Sequence, residues 1–243
     1  MRGSIELEWR GEETAVIFLH NPQARNAMSV AMMEKLPSIQ EEIVRRDVRT
    51  VIITSRDDKA FCAGGDLHDV RTHLLSKEAA TKMSRDIRAF FACLQKMSVV
   101  IIVALKGSAV GGGAELCTYG HWVFAHKDLA IAFVHNRLGV SPGWGGAMQL
   151  IKKIGVHRTR QLLIGAKRLS AEKAKELGLI DFLVAKDQVL QEAEALARDI
   201  ATRDRKAFFA TMNFLEQPSI DAEEEVFLQL WGEEAHQKAL GMK

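Results

Sequence analysis

The chain has 243 residues, 47% of them hydrophobic and 26% charged, and its 33 Lys and Arg against 31 Asp and Glu leave a formal charge of +2. That apolar content excludes a disordered chain, and the charge balance gives no reason to expect nucleic acid as a partner. No apolar run approaches the roughly 20 residues of a membrane helix. The start, MRGSIELEWRGEE, has no apolar stretch of the kind a signal peptide needs. Cys62, Cys93 and Cys117 are odd in number and lack metal-ligand spacing, as expected of reduced thiols in a cytoplasmic protein. One globular domain with a helical extension fits this length.

In chain order, Thr14 to Leu19 (TAVIFL) reads as a strand ended by Asn21-Pro22. Ser29 caps a helix running to about Arg46, with Pro37 kinking or breaking it. Val51 to Thr54 is a short buried strand, followed by the glycine turn FCAGGDL (Phe61 to Leu67) and a long amphipathic helix from Lys77 to Lys96. Val99 to Leu105 is continuously apolar, the pattern of a strand covered on both faces. KGSAVGGGAEL (Lys106 to Leu116) is a glycine cluster opening into a helix. Trp122 to Ala125 and Leu129 to Val134 read as strands, and Gly139 to Gly146 (GVSPGWGG) as a loop. The remainder reads as helices: Ala147 to Lys153, His157 to Ile164, Ala171 to Leu177, Gln188 to Arg203, Lys206 to Leu215 and Ala222 to Leu240. The fold class is therefore α/β with a helical tail.

Strand, glycine turn and helix occur together twice, at FCAGGDL and at KGSAVGGGAEL. Glycine lets a backbone approach a ligand closely, and the first N–H groups of a helix have no intrahelical partner. Two such N–H groups aimed at one oxygen make an oxyanion hole, in which a single donor contributes on the order of 3 kcal/mol. Close packing of strand against helix is the competing explanation for either turn taken alone.

The two turns together resemble the enoyl-CoA hydratase/isomerase family, the crotonase superfamily. The similarity continues through FVHNRLGVSPGWGG (Phe133 to Gly146), AKRLSAEKAKELGLID (Ala166 to Asp181) and the early NPQARNAM turn (Asn21 to Met28). The resemblance implies a crotonase-like spiral of ββα units over residues 1–185. It also implies a C-terminal helical region, 186–243, used to build a homotrimer or a dimer of trimers. It places the oxyanion-hole N–H groups at Gly65 and Gly112, with coenzyme A entering only as part of an acyl-CoA substrate and no permanently bound cofactor. Arg25, Ala63, Asp66, Leu67 and Gly111 fall where family members hold the substrate. For Arg25 a solvated side chain is the alternative to a phosphate contact, and for Asp66 a helix cap is the alternative role.

Family hydratases use two glutamates. The first maps onto Glu115. The second position holds His135, and there is no carboxylate from Leu129 to Ser170. A histidine titrates near working pH and does not repel a substrate carboxylate. Arg137, two residues on, would share its side if the segment is extended. The FVH…SPGWGG stretch is similar to ethylmalonyl-CoA decarboxylase-type members, with Trp144 either a pocket wall or a packing residue. The lead expectation is an acyl-CoA lyase that decarboxylates a short malonyl-type CoA, with Glu115 and His135 catalytic. Enoyl-CoA hydration, then isomerisation, are the alternatives. A non-catalytic CoA- or RNA-binding scaffold is the other class. No metal site is expected, since His121, His126 and His135 lack ligand spacing.

Overall fold

Alternating apolar and charged residues make β1 (Ser4–Arg10), whose Ile5 is buried while Leu7 and Trp9 pack on the core edge. It pairs antiparallel with β2 (Thr14–His20), Ile5 opposite Leu19. The computed structural model describes residues 3–242, so Met1, Arg2 and Lys243 at the ends of the expected divisions lie outside the described residues. The helix expected from Ser29 to Arg46 is two, α1 (Val30–Glu34) and α2 (Leu36–Arg46), parted at Lys35. Pro37 sits in the first turn of α2, where a missing N–H leaves no bond unmade, so the break falls before it.

Next come β3 (Thr50–Ser55), β4 (Ala60–Cys62), α3 (Leu67–His73) and α4 (Lys77–Lys96). They are followed by β5 (Val100–Leu105), β6 (Ser108–Val110), α5 (Gly112–Thr118), β7 (Trp122–Ala125) and β8 (Ala130–Ala132). The pairs β3–β4, β5–β6 and β7–β8 each place one strand in a first sheet and the next in a second. The chain thus winds as the spiral the resemblance implies. The first sheet is six-stranded, in the order β1-β2-β3-β5-β7-β10, and parallel apart from β1. The second is four-stranded, β4-β6-β8-β9, with β9 antiparallel.

The strand expected over Leu129 to Val134 is only the three residues of β8, and the chain then turns into a 3-10 helix at His135–Leu138. The two helices expected from Ala147 to Ile164 are joined as α6 (Gly146–Gly165), with a kink at Gly155, whose φ is 76°. β9 (Arg168–Ser170), α7 (Ala171–Glu176) and β10 (Phe182–Leu183) lead into α8 (Val189–Ala201). Val189, Ala193, Ala197 and Ile200 of α8 cover Val16, Phe18, Ile52, Val100 and Ile102 on the outer face of the large sheet. The opposite face meets α2, α4 and α5 in the main core. Covering on both sides explains why β3 and β5 are apolar without alternation. The remaining helices, α9 (Arg205–Glu216), α10 (Ile220–Leu230) and α11 (Glu234–Ala239), contain no buried residue. The long helix expected from Ala222 to Leu240 is split at Gly232, whose φ is 78°. No helix among the described residues is long and apolar enough to cross a membrane.

Candidate active site

The ends of β4 and β6 are neighbours, so the two glycine turns that follow them meet. A Cβ added to Gly64 would lie 3.1 Å from Gly112 N, and one added to Gly113 would lie 2.0 Å from the carbonyl oxygen of Cys62. Only glycine allows this approach. Gly112 is the first residue of α5, so its N–H has no intrahelical acceptor. Met28 N–H donates to Gly64 O at 2.7 Å and Asp66 N–H donates to Met28 O at 2.9 Å. That parallel bridge turns the N–H of Gly65 away from Met28.

A polar network bolts the first turn in place. Arg25 and Asn26 are both left-handed, with φ of 53° and 57°, which brings Arg25 O to the N–H of Ala63 at 3.1 Å. Asn26 is fully buried. Its Oδ1 accepts from Asn21 N–H at 2.8 Å, and its Nδ2 donates to Ala60 O at 2.7 Å. Asn21 Nδ2 donates to Ala27 O and to Asp66 Oδ2, and Asp66 Oδ1 caps α3 by accepting from His68 N–H. The sequence reading placed Asn21 and Asn26 in the early turn without assigning either side chain a bracing role. Their signal was two Asn flanking a turn in which one must be left-handed.

The second turn carries the ionisable pair. Glu115 is 1% exposed, and its carboxylate accepts from three main-chain N–H groups: Gly143 at 3.2 Å, Trp144 at 2.9 Å and Gly146 at 3.0 Å. His135 Nε2 stands 3.0 Å from Glu115 Oε1. The approach is out of line with the ring N–H, so neither ring nitrogen of this buried histidine makes a hydrogen bond among the described residues. Trp144 is buried, and its six-membered ring lies over Gly112, where an added Cβ would come within 2.4 Å of it. Tyr119 hydroxyl donates to Trp144 O at 2.7 Å and Ser84 Oγ donates to Gly143 O, so the loop is held from both sides. Burial, and then the Glu115 carboxylate beside it, push the Tyr119 phenol up to about 12, which keeps it a donor. Burial also pushes the Cys62 thiol up to about 12, and Cys117 is likewise buried and shifted upward.

Glu115, His135, Gly65, Gly111, Gly112, Ala63 and Trp144 are therefore brought together around the two turns. One expectation needs correction. Arg137 does not share a side with His135, because the segment is a 3-10 helix rather than a strand, and Arg137 is exposed while His135 is buried. Asp66 is buried with both carboxylate oxygens engaged within the protein, by His68 and Asn21, which is the helix-cap role its position offered. Arg25 and Leu67 are exposed at the rim. No group of three or more His, Cys, Asp or Glu that could hold a metal occurs among the described residues.

The family model described as enoyl-CoA hydratase/isomerase matches residues 10–236. The chain belongs to the enoyl-CoA hydratase/isomerase family. Its members are enzymes acting on acyl-CoA. Among curated relatives, an ethylmalonyl-CoA decarboxylase of Xenopus tropicalis is 30% identical, covering 98% of this chain and 82% of its own length. An enoyl-CoA isomerase/hydratase of Zymoseptoria tritici is 33% identical over 81% of this chain and 69% of its own. The crystal structure of an enoyl-CoA hydratase from Bacillus anthracis superposes with a TM-score of 0.88 at 25% identity, covering 98% of this chain and 94% of that one. The spiral of ββα units is thus the crotonase fold of the enoyl-CoA hydratase/isomerase family.

Proposed function

We propose that this protein is an acyl-CoA lyase that decarboxylates a short malonyl-type CoA. The N–H groups of Gly65 and Gly112 receive the thioester oxygen. The bond from the α carbon to the carboxylate breaks, its electron pair passes into the enolate, and the charge collects on the thioester oxygen, where the two donors stabilise it. Carbon dioxide leaves. A proton from the His135–Glu115 pair then returns to the α carbon, and the pair regains it from solvent.

The observation that carries this reading is the make-up of the pair: one carboxylate and one imidazole at 3.0 Å, both buried. Hydration needs a group to activate water and a group to return a proton. Decarboxylation generates its carbanion without a base, so one acid suffices. The similarity to an ethylmalonyl-CoA decarboxylase over nearly the whole chain supports the same substrate class. The test is a panel of ethylmalonyl-, methylmalonyl- and crotonyl-CoA, read by mass spectrometry. Loss of carbon dioxide from a malonyl-type thioester is expected. Rapid addition of water to crotonyl-CoA, with the malonyl-type thioesters untouched, would overturn the reading.

Assembly as a trimer or a dimer of trimers through α9–α11 belongs to the same proposal. Phe227, Leu228 and Trp231 are exposed there in the single chain. Light scattering at micromolar concentration should return three or six subunits, and a monomer would contradict it.

A further inference from the structure

A carboxylate has about four lone-pair directions in which to accept hydrogen bonds. In Glu115 three are taken by the N–H groups of Gly143, Trp144 and Gly146, and the remaining approach, at Oε1, faces His135 Nε2. A water or a hydrogen of the substrate could reach Glu115 only in that last direction, beside His135. His135 is the reverse case, a buried imidazole neither of whose nitrogens makes a hydrogen bond among the described residues, although Nε2 stands beside Glu115.

The loop that Glu115 holds has its carbonyls fixed as well, by Tyr119 at Trp144 O and by Ser84 at Gly143 O. Its tightly held product is the position of one side chain. The Trp144 indole lies against Gly112, whose N–H is one of the two proposed oxygen donors. Neutralising Glu115 as glutamine would place an NH2 where an oxygen now accepts, facing a main-chain N–H, donor against donor.

We propose that Glu115 is a positioning residue rather than the proton carrier. As an anion it gathers the amides of residues 143, 144 and 146, seats the indole of Trp144 against Gly112, and leaves proton transfer to His135 alone. This deepens the acyl-CoA reading above and rests on it for the identity of the ligand, but the seating of Trp144 can be read without any ligand.

The experiment uses full-length protein in which Trp9, Trp122 and Trp231 are replaced by Phe, so that Trp144 is the sole tryptophan. Glu115→Gln and His135→Gln are made in that background and in the wild type. Three readouts are taken: Trp144 emission and its quenching by acrylamide, the affinity for butyryl-CoA by calorimetry, and the kcat and KM of the reaction found with the substrate panel. Glu115→Gln should shift the Trp144 emission to longer wavelength, raise its quenching severalfold and weaken butyryl-CoA binding about tenfold. His135→Gln should lower kcat by a factor on the order of 10², as for loss of a positioned acid, with emission and affinity unchanged within twofold.

If Glu115→Gln lowers kcat while the Trp144 signal and butyryl-CoA affinity stay as in the parent, Glu115 is a proton carrier and the proposal is wrong. If butyryl-CoA does not bind the parent protein at all, the acyl-CoA reading fails, and the emission alone still decides the positioning role. Should Glu115→Gln fail to fold, Glu115→Asp keeps the charge and withdraws the oxygens by one methylene. It should move the same emission signal, and an unmoved signal again overturns the proposal.

Discussion

The turn at Gly65 and the turn at Gly112 stand side by side and are held by opposite means. The first is tied by hydrogen bonds from side chains far off in sequence, Asn21 and Asn26, acting through Asp66 and Ala60 O. The second is held by contact, with Gly113 against the Cys62 carbonyl and Gly112 under the Trp144 ring. A turn secured by hydrogen bonds loses stability in steps as partners are removed. A turn secured by contact tolerates nothing larger than hydrogen and does not depend on the polar partners of the other turn. Neighbouring main-chain donors can therefore be perturbed separately.

The largest effect expected is at the contact-held turn. Gly113→Ala puts a methyl 2.0 Å from a backbone oxygen that no side-chain movement can relieve. It should cost about 3 kcal/mol, the upper end for overpacking, and abolish turnover, as read by urea unfolding and by the substrate panel. Wild-type stability in this variant would show that the two turns are not packed as described. Asn26→Gly is the counterpart at the tied turn. Glycine accepts the left-handed φ of 57°, so the change isolates the side-chain bonds to Asn21 N–H and Ala60 O. A loss of about 2 kcal/mol is expected for two buried groups left unpartnered, with kcat reduced rather than abolished. Equal losses from Asn26→Gly and Asn26→Ala would mean that the side chain, and not the backbone conformation, carries the whole effect.

The smallest effect lies outside both turns and serves as a control. Burial, with Lys153 nearby, lowers the His121 imidazole to about 4, and its Nδ1 accepts from Ile101 N–H at 2.9 Å. The unfolded imidazole takes up its proton near pH 6.5, roughly its free value, while the folded one does so only near 4. Between those values the unfolded chain binds more protons, so this group's contribution to stability falls as pH drops from 6.5 towards 4. His121→Asn keeps an acceptor for Ile101 and removes the titration. Comparing urea midpoints at pH 7 and pH 5 should show a smaller drop in the variant, and an identical drop would assign the acid sensitivity elsewhere.

Much of this architecture was legible in the chain because covered strands and glycine turns leave strong local marks. The apolar runs of β2, β3 and β5 and the GGG ahead of α5 are of that kind. β1 was readable by its strict alternation but was obscured by its charges, since Glu6, Glu8 and Arg10 occupy its outward face in ion pairs with Arg56 and Glu194. β6, β9 and β10 have three residues or fewer and carry no periodicity to detect. At the site, Glu115, His135 and the glycines followed from the resemblance. The 3-10 turn that separates His135 from Arg137 did not, because two residues of spacing fit a strand equally well. The bracing bonds of Asn26 to Ala60 O, Tyr119 to Trp144 O and Ser84 to Gly143 O reach 25 to 59 positions away, and nothing local encodes those partners.

The placement of the thiols has a practical consequence. Cys62 and Cys117 are sealed within the fold, and only Cys93, on α4, is partly open to solvent. A maleimide dye should therefore attach once per native chain and three times after denaturation. The stoichiometry of labelling would count intact molecules directly, with no substrate and no knowledge of the reaction required.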